Sequence, residues 1–274
     1  MNIKITKFKV FSWLAVVAMT VMSIWSFVLA IAPATVTDSF DDSSKIASIA
    51  SVTVAGGVVA LSVASSWTCG DTLIDSRDAQ VYTTVLIGSQ CWMAENLNVG
   101  TKVAVSTYPQ GTDCSTASAI EKYCYSDSDA NCTTYGGLYE WSQAMCGLTT
   151  EGTTGICPTG WHIPTHDEFT TLERAVCASG TCATDFPYDT ITTGWRGTNE
   201  GTTLKTVNAS SFSGLLSGYT GSGSFYNLGS YGDFWSSVQS GTDAWERYLG
   251  SGDATVYRYT DAKSYGFSVR CLKN

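Results

Sequence analysis

The sequence predicts a disulfide-bonded domain of mixed helix and short strand, with much of the chain in long loops. Three observations carry that expectation. Ten cysteines, an even number, occur with no paired C-x-x-C knuckle, a pattern that favours disulfides over a structural zinc site. Two segments in the middle of the chain show apolar residues at helical spacing. Beyond residue 190 the helical signal ceases, and glycine punctuates short aromatic strands to the end.

Taken in chain order, the first feature lies outside that domain. Lys4, Lys7 and Lys9 precede an uncharged apolar run at residues 11–32, FSWLAVVAMTVMSIWSFVLAIA. A basic start ahead of an apolar run reads as an export signal, and this run of 22 residues is also long enough to span a bilayer. Ala32 and Ala34 offer an A-x-A cleavage site. Residues 1–34 are therefore expected to be a signal peptide or a retained membrane anchor. Either one places the remainder outside the cytosol, secreted or at the cell surface, where cysteines oxidise. Residues 35–66 are expected to form a short β element or stalk. Val52 and Val54, then Gly56 and Gly57, then Val59 and Leu61 suggest a hairpin around a Gly-Gly turn. A second membrane helix is the competing reading, weakened by the serines and threonines that interrupt it.

Residues 67–274 read as the folded domain. VYTTVLIG and CWMAENLNVG resemble two short strands, with Trp92, Met93 and Leu97 in the core. Residues 106–134 are polar and cysteine-bearing, a long stapled loop. In YGGLYEWSQAM, residues 135–145, Leu138, Trp141, Ala144 and Met145 fall at helical spacing. PTHDEFTTLERAVC carries the clearest helix. Thr165 suits the N-cap, Asp167 and Glu168 complement the first turn, and Phe169, Leu172 and Val176 make the buried stripe. Cys124 with Cys132, and Cys177 with Cys182, can each close a short loop. The partners of the other cysteines cannot be deduced from spacing.

Composition narrows the function. The net charge is -9, and only 14% of residues are charged, well below the usual quarter. With no basic cluster beyond the first lysines, nucleic acid is an unsuitable partner. Membrane contact is expected only through the N-terminal segment. Seven of the 14 tyrosines lie between residues 217 and 266, interleaved with Ser, Gly, Asn and Asp. Tyrosine gives large contact area at low entropic cost, and the small polar residues give adaptable hydrogen bonds, the mixture found in antibody binding loops.

Five motifs now form a recognisable order: IGSQCWMAENLNVG, YGGLYEWSQAM, CPTGWHIPTHDEF, the FWSS of residues 234–237, and YGFSVRCLKN. Over residues 67–274 the chain resembles the Fibrobacter succinogenes major paralogous domain, a bacterial surface module. The resemblance implies an α+β, C-type-lectin-like fold: two helices with a small antiparallel sheet and long disulfide-stapled loops. It implies a ligand surface built between the FWSS and GFSVRC motifs. It makes Trp161 and Trp235 core landmarks and pairs Cys157 with Cys271 across the core. It likewise sets Cys69 with Cys91 and Cys114 with Cys146.

Candidate chemistry is sparse beside that resemblance. The Glu-Pro-Asn, Gln-Pro-Asp and Trp-Asn-Asp tripeptides of calcium-binding lectins are absent. Asp127, Asp129 and Asn131 alternate oxygens in one short loop, but calcium needs six to eight of them. His162 and His166 are four apart, yet Pro164 intervenes, so His162 is expected to pack beside Trp161 and His166 to be exposed. No G-x-S-x-G elbow occurs, and Asp167 with Glu168 fits a helix dipole better than a glycosidase dyad. No catalytic residue, metal or cofactor is expected, and the chain is not read as an enzyme.

The leading expectation is an exported module that binds a glycan or a surface protein. Its candidate contacts are Tyr226, Asn227, Tyr231, Asp233, Trp245, Arg247, Tyr257 and Tyr259. Strand alternation puts Trp245 and Arg247 on one face, opposite Glu246 and Tyr248. The alternative is a structural pilus or envelope component without a small ligand. An enzyme of the formylglycine-generating type, which needs reduced cysteines, ranks below both.

Overall fold

The computed structural model of the chain describes residues 48–55, 58–64, 67–206 and 212–274. Residues 1–34, expected to be a signal peptide or membrane anchor, lie outside the described residues, as do Gly56 and Gly57. Among the described residues no helix is long and apolar enough to cross a membrane. The chain divides into two units between Trp67 and Thr68. In the first, strands Ser48–Ala55 and Val58–Ala64 pair antiparallel, with Val54 opposite Val59 and Val52 opposite Leu61.

The second unit is far richer in sheet than two helices beside one small sheet, and that expectation is corrected. Three four-stranded antiparallel sheets make up most of it, with two-stranded pairings beside them. Only one of its helices, His166–Val176, reaches 11 residues. The second expected helix fails for a local reason. Gly136 ends the short helix Asp129–Tyr135 at a φ of 81°, a left-handed conformation that suits glycine. A side chain there would also meet the Asn96 Cβ at 2.6 Å. Tyr139–Glu140 then pairs as a strand with Gly266–Phe267, leaving the helical turn Trp141–Ala144 alone. The periodicity still identified core, because Leu138, Trp141, Ala144 and Met145 are all buried.

The long helix forms as its sequence dictates. The Thr165 side chain accepts from the Glu168 backbone N–H, and the Glu168 carboxylate accepts from Thr165 N at 2.7 Å, a reciprocal capping box. Phe169 and Leu172 enter the core, where Trp92 is fully buried, 5.4 Å from Phe169 and 5.5 Å from Phe212 between ring centroids. Trp161 and Trp235 are also buried.

All ten cysteines are paired: Cys69–Cys91, Cys114–Cys146, Cys124–Cys132, Cys157–Cys271 and Cys177–Cys182. Five disulfides and no free thiol belong to an oxidising environment.

Candidate functional site

One sheet organises the site. Its strands lie in the order Gly194–Arg196, Val256–Ala262, Asp243–Gly250, Tyr231–Ser240, every neighbour antiparallel. Directly opposed residues in such a ladder share a face. One row therefore reads Phe234, Arg247, Arg258, and the next reads Asp233, Tyr248, Tyr257, Trp195 on the other face.

The first of these faces is interior. Leu249 and Val256 pack there with Phe169, Phe212 and Phe234. Two arginines directly opposite one another would repel, and the long helix supplies what they need. Arg247 Nε donates to Glu173 Oε1, while its Nη2 donates to the His166 carbonyl at 3.2 Å. Arg258 Nη2 donates to His166 Nε2 and to Pro187 O at 3.2 Å. Burial, followed by the charges of Arg247 and Arg258, holds the His166 pKa down to about 2. His166 is thus buried and neutral, not exposed as its sequence position suggested.

The second face opens into a cavity of about 200 Å³. From the sheet, Tyr231 and Asp233, then Glu246 and Tyr248, then Tyr257 and Asp261 line it. Tyr219, Tyr265 and Phe267 form the opposite wall. Gly221 lets that wall close, since a Cβ at this position would meet the Tyr265 ring at 2.3 Å. Trp195 extends the aromatic surface, 5.1 Å from Tyr248 and 5.0 Å from Tyr257.

Three carboxyl groups share this cleft. Asp233 and Glu246 are buried, and Asp233 Oδ2 and Glu246 Oε2 have no hydrogen-bond partner. Burial drives both well above the ordinary carboxyl range, and the nearby charge of Asp261 adds to each shift. Asp261 is itself raised, by burial and then by Asp243. Burial is also the main cause holding the Tyr248 hydroxyl above its usual range, followed by its hydrogen bond with Tyr231. The arrangement can accept hydrogen bonds or positive charge beneath aromatic faces.

Residues 85–273, which include the whole lining of the cleft, match the family model described as the Fibrobacter succinogenes major domain. The chain belongs to that family. No curated protein and no solved structure matches the chain. Cys69–Cys91 ties the segment just before this major domain to one of its first strands.

Within the major domain, Tyr231, Asp233 and Tyr257 of the sequence-derived candidates converge on the cleft. Tyr226 and Tyr259 lie exposed at its margins, Tyr226 stacked on Tyr219 and Tyr259 against Tyr257. Asn227 is exposed, at a φ of 62°. It shapes a turn, its carbonyl accepting from Ser230 N and Tyr231 N. Trp245 and Arg247 are a correction: they share a face as expected, but it is the interior face, and both are 2% exposed. Glu246, Tyr248 and Asp261 were missed in their place, together with Tyr219 and Tyr265 from the opposing wall. The signal was present in the same alternation. Leu249 sits on the parity of Trp245 and Arg247, and an apolar residue there turns that face inward.

The other candidates serve structural ends. Asp127 Oδ1 accepts from Val105 N at 3.0 Å, Asp129 pairs with Lys102 at 2.9 Å, and Asn131 donates to Tyr125 O at 2.8 Å. His162 contacts Asn274 at 2.7 Å and Glu168 at 3.0 Å, well separated in partners from His166.

Proposed function

We propose that this major domain is an exported binding module that holds part of a glycan or protein ligand in its aromatic cleft. The observation that carries the reading is the pair of buried carboxyl oxygens, on Asp233 and Glu246, left without partners at the base of a tyrosine-lined cavity. A buried acceptor without a partner costs roughly 1–3 kcal/mol, and unlike Gln90 Oε1 or Glu200 Oε1 these two belong to residues that line the cavity of about 200 Å³. The exposed rim of Trp195, Tyr226 and Tyr259 supplies residue types enriched in binding hot spots. With every cysteine in a disulfide, no thiol is free for formylglycine-type chemistry.

Export is part of the proposal, through residues 1–34 as a cleaved signal or an anchor. N-terminal sequencing of the mature chain is expected to begin just after Ala34 if the signal is removed, or at the start of the chain if it anchors. The binding reading is tested by probing a glycan and surface-protein array with the oxidised full chain. A hit abolished by a Tyr248→Ala, Tyr257→Ala double variant supports the module. A hit that the variant retains, or self-association with no hit at all, contradicts the cleft as its site.

A further inference from the structure

We propose that the cleft recognises a single organic cation, the ammonium or guanidinium head of a lysine or arginine side chain on a partner protein. The inference rests on the cleft being the ligand site, and it names the chemistry of what enters.

Three observations favour a cation over the alternatives. Asp233 and Glu246 both line a cavity whose lining contains no cationic side chain, and each has an oxygen buried without a partner. Among the described residues, the lysine, arginine and histidine ion pairs involve Asp75, Asp129, Glu168 and Glu173, none of them in the cleft. The chain therefore supplies no cationic partner to these carboxyl groups, which burial keeps toward their protonated form, and an entering cation would favour the ionised one. A metal ion does not fit the arrangement either, since no three His, Cys, Asp or Glu side chains among the described residues converge closely enough to hold one. A larger cation, with several N–H donors spread over its head, reaches carboxyl groups that a single ion does not.

Ring geometry and volume then favour a small head group. Tyr231 and Tyr248 meet at 71°, Tyr248 and Tyr257 at 75°, and Tyr219 and Tyr265 at 86°. Tyr265 and Phe267 lie parallel in the opposite wall, at 5°, whereas the rings of these other pairs are tilted steeply against one another. They surround a small volume from several sides, and their faces attract a cation. The volume, about 200 Å³, is below that of pockets that enclose a drug-sized ligand and suits one side-chain head. The net charge of -9 steers a basic partner toward the chain.

The test is a titration of the oxidised, isotope-labelled full chain, followed by NMR. The probes are Nα-acetyl-lysine methylamide, Nα-acetyl-arginine methylamide, the uncharged Nα-acetyl-norleucine methylamide, and glucosamine. The inference expects shifts centred on Tyr248, Tyr257 and Glu246. It expects at least one amino-acid cation to bind about 10-fold or more tighter than the norleucine analogue. Glu246→Gln is expected to remove that preference while leaving the dispersed spectrum of a folded chain. Should Glu246→Gln fail to fold, Asp233→Asn and the wild-type preference for charge over norleucine carry the same decision. Equal binding of charged and uncharged probes, or cation shifts outside the cleft, overturns the inference. Tighter binding of glucosamine than of either amino-acid cation overturns the protein side chain as its source. In both cases an array ligand lost in the Tyr248→Ala, Tyr257→Ala variant would leave the binding-module reading standing. An array ligand indifferent to those tyrosines would bring down both.

Discussion

The two faces of the Tyr231–Ser240, Asp243–Gly250 and Val256–Ala262 strands bury charge in different surroundings, one packed against a helix and one beside a cavity. On the interior face, Arg247 meets Glu173, and Arg258 meets His166 and a backbone carbonyl, although Glu173 Oε2 and Arg258 Nε and Nη1 keep no partner. On the cleft face, Asp233 and Glu246 keep buried oxygens that meet nothing in the chain. Consecutive residues of one strand, Glu246 and Arg247, fall on the two sides of this contrast. Charge buried with a partner holds the fold together, whereas charge buried without one is a cost to stability that a ligand can offset. What sets Asp233 and Glu246 apart from Glu173 and Arg258 is the cavity of about 200 Å³ that they line.

Breaking the interior pair should produce the largest effect. Glu173→Ala strands a buried guanidinium and is expected to cost about 3–5 kcal/mol in chemical denaturation. Trp245→Ala, which empties a packed site beside the His166 ring at 4.3 Å, is expected to cost about 3–5 kcal/mol by the same measurement. A small loss in either variant would show that the interior face is not the supporting one.

Changing pH sharpens the contrast, because the two faces respond with opposite sign. His166 in the folded chain resists protonation down to about 2, while the unfolded chain takes up that proton near 6.5. Its stabilising share is present above pH 6.5 and is lost as pH falls below it, by about 1.4 kcal/mol per unit. A His166→Gln variant should show a flatter acid limb in melting curves between pH 6.5 and 4. Glu246 behaves inversely. Its folded value lies well above the ordinary range, so the folded chain holds the proton longer and stability falls as pH rises through that interval. Glu246→Gln is therefore expected to stabilise by about 1–3 kcal/mol near pH 8, with the gain vanishing near pH 4. The smallest effect belongs to the rim: Tyr226→Ala, half exposed, should change stability by less than about 1 kcal/mol.

These differences also mark what the sequence could convey. Short-range chemistry was readable. Thr165 was legible as an N-cap and Glu168 as a first-turn acid, which the structure joins in a capping box, and the alternation of AWERYL put Trp245 with Arg247. The family resemblance led to Cys157–Cys271 and Cys69–Cys91, which spacing alone left open, and Cys114–Cys146 followed as the remaining pair. The missing information is long-range. Arg247 can be interior only because Glu173 lies across from it, 74 residues away in sequence. His166 is buried by Arg247 and Arg258, 81 and 92 residues distant. Without those partners, local rules send a charged residue outward, and Trp245 and Arg247 were assigned to the wrong side for that reason. The helix expected at residues 135–145 failed more locally. Its apolar spacing is real, but Gly136 ends one helix there and Tyr139–Glu140 finds a strand partner near residue 266.

The most direct test of the account separates binding from stability in one variant. Affinity for the ligand identified on the array would be measured by calorimetry for the wild type and for Asp233→Asn, Glu246→Gln, with melting midpoints recorded at the same neutral pH. The account predicts that binding falls by about 10-fold or more while the midpoint holds or rises. Undiminished binding, or a midpoint that falls with it, would mean that these carboxyl groups belong to the scaffold and that the ligand site lies elsewhere.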